Sequence, residues 1–202
     1  MKLTTKILSC LILLATMFVS GQTERRGLAK GLSNSFTGSI GTRPSQDHGG
    51  KIESKYDGFN HETVVTLTRM RITCGSVKGN FKDSCISLVA TLHCPGIQLS
   101  YVRHASLQLI FQYRSWDQRH PLNQRQLSIV ADGETFRPGQ MKLVSQSVDE
   151  RMTEVLEVSV PFAMFTKIAR AQVVDMKVGN GEFELRQQNL AALRDLMNRV
   201  KF

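Results

Sequence analysis

The chain has 202 residues, a formal charge of +9 and a hydrophobic share of 41%. That apolar content suffices for one domain with a real core, which excludes a wholly unfolded chain. The basic balance favours contact with anionic or polar surfaces, but the charges are scattered and no basic run marks a nucleic-acid tail.

The N-terminus carries Lys2 and Lys6, then an apolar run from Ile7 to Val19, then Ser20 and Gly21. A positive start, an apolar stretch and small residues before a cut form the order of a secretory signal, so residues 1–21 are expected to be removed. The run is short for a membrane span, and no anchor pattern follows it. The expected location is secreted or periplasmic. Cys10 lies inside the apolar run rather than after it, which assigns it to the discarded segment and not to lipid attachment.

Residues 22–50 are rich in glycine and serine and poor in large apolar side chains, so they read as a flexible leader or linker. From residue 51 to 202 the pattern is that of a single β-rich domain. Residues 63–74 (TVVTLTRMRITC) and 84–94 (SCISLVATLHC) are strand-like, and Gly96 to Val102 reads as a further strand. In the following run Leu107, Leu109, Phe111 and Tyr113 alternate with Gln108, Ile110, Gln112 and Arg114, which places the first set on a buried face.

Asp132 and Gly133 suit the tip of a two-residue hairpin, and Arg137-Pro138-Gly139-Gln140 suits a second turn. Leu156, Val158 and Val160 mark one face of a later strand. Pro161 opens a short helix, since proline lacks an N–H that the first turn would leave free. Strands on either side of Gly179-Asn180-Gly181 follow. The last segment is helical, residues 189–200, because Leu190, Leu193, Met197 and Val200 recur at three- and four-residue steps, with Asn189 as its N-cap. The fold class is therefore mainly β, an antiparallel curved sheet or β-sandwich with a C-terminal helix packed on it.

Cys74 lies five residues before Gly79 and Cys85 five residues after Asn80. A two-residue turn at Gly79-Asn80 would set the cysteines opposite each other, with Cα atoms roughly 4.5 Å apart, within disulfide reach. Cys94 is then left free, or joined to another chain. A zinc site using Cys74, Cys85, His93 and Cys94 is disfavoured: the spacing matches no compact ligand pattern, and His93 and Cys94 point to opposite faces of a strand.

The densest polar and aromatic segment is 114–125, with Arg114, Trp116, Asp117, Arg119, His120 and Arg125. An arginine beside an indole can hold an anion while the ring stacks on a ligand; the competing role is a tryptophan that caps the core edge. No nucleophile elbow, phosphate loop or cofactor pattern is present in the sequence. The function these features favour is binding or structural interaction with an anionic or polar surface or another protein. A small secreted hydrolase with a site assembled in space is the alternative.

Overall fold

The computed structural model describes residues 47–74, 85–113, 120, 122–148 and 152–200. Among these described residues ten strands form, in the order β1 (Lys51–Asp57), β2 (Glu62–Cys74), β3 (Cys85–Pro95), β4 (His104–Tyr113), β5 (Gln126–Ala131), β6 (Glu134–Gln140), β7 (Lys142–Val148), β8 (Met152–Val160), β9 (Val174–Val178) and β10 (Gly181–Leu185). Helix α1 (Phe162–Arg170) precedes β9, and helix α2 (Gln187–Asn198) follows β10. The signal segment and nearly all of the leader lie outside the described residues.

Period-two alternation decides the architecture. In β3 every second side chain from Ile86 to Cys94 is buried, and in β4 Leu107, Leu109, Phe111 and Tyr113 point inward as their spacing predicts. Six strands pair antiparallel in the order β1-β2-β3-β4-β8-β7, and four pair in the order β10-β9-β5-β6. The two inner faces and both helices share one core, in which Leu67, Leu109, Phe111, Ile129, Phe165 and Leu193 are all buried. This is a sandwich-like domain with α2 lying on β2.

The chain changes sheets at Met141, which is buried between β6 and β7 and donates its N–H to the Arg125 carbonyl at 2.8 Å. A turn is expected at residues 137–140. The strand instead runs on through Pro138, with a register shift against β5 between Leu127 and Ile129 and Gly139 at φ 119°. The glycine serves a bulge on an edge strand, a setting in which proline is tolerated. Residues 96–102, expected as a strand, lie in the connection between β3 and β4. At the β5–β6 tip, Asp132 and Gly133 both take positive φ, as an Asp-Gly hairpin requires.

Cys74 and Cys85 are paired residues of β2 and β3 and form a disulfide, with Cα atoms 4.1 Å apart. The turn expected at Gly79-Asn80 lies outside the described residues. Cys94 is a free thiol buried on the inner face of β3. Burial, and then the Glu62 charge, push its pKa up to about 11.

Helix α2 starts earlier than its periodicity predicts. Its N-cap is Arg186, and Asn189 serves from within the first turn, where Oδ1 accepts the Arg186 N–H at 3.0 Å and Nδ2 donates to the Arg71 carbonyl at 3.0 Å. One asparagine thus closes the helix start and ties it to β2. Arg194 of α2 donates to the Ala169 and Ala171 carbonyls, closing the C-terminus of α1. Among the described residues no helix is long and apolar enough to cross a membrane.

Candidate binding surface

Two connections lie together at one end of the six-stranded sheet. The β1–β2 turn is set by Asp57, whose Oδ1 accepts the Phe59 N–H at 2.9 Å and whose Oδ2 accepts from Asn60 Nδ2 at 2.8 Å. Those bonds, the Asn60 side chain first, hold the Asp57 carboxyl below its usual pKa. The β3–β4 connection begins at Gly96, where φ 74° demands glycine. The Gly96 N–H donates to the His61 carbonyl at 2.8 Å, and Thr63 Oγ1 donates to the Gly96 carbonyl at 2.7 Å. These bonds clip the two turns to each other.

The clipped turns present Phe59 at 99% exposure, Ile97 at 70% and Tyr101 at 61%. Single exposed apolar residues are ordinary on a protein surface, whereas a group of them on bonded turns is not. Asp57 fixes the backbone at Phe59, so the phenyl ring is carried outward by a closed turn.

Beside this rim, on the outer face of the sheet, three adjacent strands build a polar line. His93 Nδ1 lies 3.0 Å from Glu62 Oε1, and His93 Nε2 lies 3.4 Å from Ser106 Oγ. Arg103 Nη1 is 3.9 Å from Glu62 Oε2. His104 stacks on His93 with ring centroids 4.3 Å apart. Partial burial, and then the neighbouring His93, hold the His104 pKa below the usual imidazole value. The two ring nitrogens of His93 thus face one carboxylate and one hydroxyl.

The sequence-expected site at residues 114–125 divides. Arg114, Trp116, Asp117 and Arg119 lie outside the described residues. His120 and Arg125 point into the opposite end of the sandwich from the clipped turns. There Glu154 Oε2 takes Tyr113 Oη at 2.9 Å, the His120 N–H at 3.2 Å and His120 Nδ1 at 2.9 Å, while Oε1 faces Arg125 Nη2 at 3.6 Å. His120 is 1% exposed, and Arg125 Nε donates to its carbonyl at 3.0 Å. Burial, and then the Glu154 charge, raise the Tyr113 pKa far above its usual value.

Sequence reasoning missed Glu62, His93 and Ser106 as a group. They stand 31 and 13 residues apart in successive steps along the chain and meet only through register, Val64 facing His93 and His104 facing His93. Phe59, Ile97 and Tyr101 carried a usable signal: large apolar residues inside turn segments rich in glycine, asparagine and proline. A cleft of about 420 Å³ opens elsewhere, between the bulged part of β2 and the first turn of α2, lined by Asp47, His48, Arg69, Arg71 and Asn189 among others. No group of three or more histidine, cysteine or carboxylate side chains suited to a metal ion occurs among the described residues. No family model, curated protein or solved structure matches the chain.

Proposed function

We propose that this is an exported binding domain that holds a partner protein at the end of the large sheet formed by the β1–β2 and β3–β4 turns. The observation that carries the reading is the exposure of Phe59, Ile97 and Tyr101 on two turns bonded to each other. Fully burying one such side chain contributes about 1.5–3 kcal/mol, so three on a prearranged frame suffice for a useful interface. Export is supported by the lysine–apolar–small order of residues 1–21, and the periplasm is the favoured location. The protein recovered after export should lack that segment by intact mass. The surface is tested with Phe59→Ser/Ile97→Ser/Tyr101→Ser, which changes exposed positions and should leave the folded spectrum intact. Immobilised wild type should retain proteins from the exported fraction of its source cells that the triple variant releases. Equal retention by both would dismiss the surface.

A small hydrolase is the second reading, favoured by the Glu62–His93–Ser106 order of acid, base and hydroxyl. Against it stands the position of Ser106 in mid-strand. β4 is paired on both sides, with β3 and with β8, so its amides serve ladders instead of converging on an oxyanion. Hydrolysis of an activated ester that disappears in Ser106→Ala would favour the enzyme; equal rates would remove it.

A further inference from the structure

The large sheet ends in two edge strands that differ in kind. β1 carries Lys51, Glu53, Lys55 and Asp57 along its length, and charges on an edge resist the addition of another strand. β7 carries only Lys142; residues 143–148 read Leu-Val-Ser-Gln-Ser-Val. Every side chain from Lys142 to Ser147 is exposed, on both faces of the strand, with Val144 at 55%. Ordering a residue costs backbone entropy that a ladder hydrogen bond by itself barely offsets. A strand that buries neither face has little else to hold it, and its outer edge offers a row of backbone donors and acceptors.

We propose that β7 is a dimerisation edge, where a second copy of this chain pairs antiparallel across a two-fold axis and joins two six-stranded sheets into one. The strand matches itself. Val144-Ser145-Gln146-Ser147-Val148 is a palindrome, so an axis through Gln146 sets Val144 against Val148, Ser145 against Ser147 and Gln146 against its own copy. The self-match lies within the strand itself, as a two-fold interface requires. Ser145 to Val148 run in unbroken register against β8, with the bulge confined to Val144, so the backbone around the axis is regular. A single strand pair is a small interface, which makes the dimer reversible.

Sedimentation of the full exported chain over a concentration series tests this. The mass should rise from one chain to two with concentration. Gln146→Lys places two lysines at the axis and should weaken the dimer at least about tenfold, equal to about 1.4 kcal/mol, with an unchanged far-UV spectrum. Glu53→Lys, on the other edge, should leave the dimer as it was. Gln146→Cys should yield a disulfide-linked dimer on mild oxidation, since facing Cα atoms of an antiparallel pair lie within bridging distance. A chain that stays single at every concentration, or a dimer indifferent to Gln146→Lys, overturns the proposal, and the former would assign the edge to a strand of another protein.

Discussion

Replacing Glu154 by alanine should cost about 3–5 kcal/mol of stability, the range for removing one partner from a buried charge cluster. The carboxylate takes three hydrogen bonds at Oε2, from the Tyr113 hydroxyl, the His120 amide and the His120 ring, and faces Arg125 with Oε1. Alanine withdraws that acceptor and leaves the Arg125 guanidinium, only 15% exposed, beside no carboxylate of its own. For a domain of this size the loss corresponds to a fall in Tm of about 6–20 °C. Glu154→Gln keeps one acceptor oxygen and the shape, and should cost about 1–3 kcal/mol.

The two variants also separate charge from shape through pH. Burial pushes the Glu154 pKa up, but hydrogen bonds from the His120 ring and backbone outweigh it and hold the carboxyl below its usual range. The folded state therefore takes up the proton less readily than the unfolded chain. The stabilisation is complete above the unfolded value and is lost as pH falls through the folded one. Urea unfolding followed by circular dichroism from about pH 7 down to about pH 3 should show the gap between wild type and Glu154→Gln constant near neutrality and closing in acid. An alanine variant within about 1 kcal/mol of wild type, or a gap indifferent to pH, would refute the reasoning.

Three further outcomes are expected. Cys74→Ser/Cys85→Ser should unfold at lower urea, with a loss of about 3 kcal/mol for so short a loop, and non-reducing peptide mapping of the wild type should recover the 74–85 link. Cys94, buried and with its pKa raised to about 11, should resist iodoacetamide in the native protein and react fully once denaturant is added. Gly179→Ala should destabilise by at least about 1 kcal/mol, because φ is +56° and a Cβ there would stand 2.7 Å from the Gln124 carbonyl oxygen. Gly133→Ala, at positive φ but in open space, should cost less by the same urea measurement.

What could be read from the chain followed the range of the physics. Alternation in residues 107–113 exposed the buried face of β4, because period two is a local property that burial enforces directly. The Cys74–Cys85 pair was legible for the same reason, since the two cysteines stand five residues to either side of Gly79-Asn80 in the sequence. Residues 137–140 were misread: Pro-Gly suits a tight turn, and only the pairing of β6 with β5 makes it a bulge. Residues 96–102 carry β-like side chains in a connection whose first residue, Gly96, is held by long-range bonds to His61 and Thr63. Asn189 has cap chemistry, but its place in the first turn depends on the Arg71 carbonyl of a distant strand. The line from Glu62 through His93 to Ser106 depends wholly on strand order, which local propensity does not encode.

The latch at the start of the described domain has a consequence for how this protein can be rebuilt. His48 is buried, accepts the Gly50 N–H on Nδ1 at 3.1 Å and so carries its proton on Nε2, which donates to Asp195 Oδ2 at 3.2 Å. Asp195 stands one turn before the end of α2 and also holds Arg199. The chain therefore enters the sandwich beside the helix by which it leaves. A bridge from the end of α2 back to His48 would join segments that already touch through Asp195, and the β5–β6 tip at Asp132-Gly133, exposed and far along the sequence, would supply new ends. The same proximity lets the whole sandwich be inserted into a surface loop of another protein, with the clipped turns carrying Phe59, Ile97 and Tyr101 at the far end of β1 from the point of insertion.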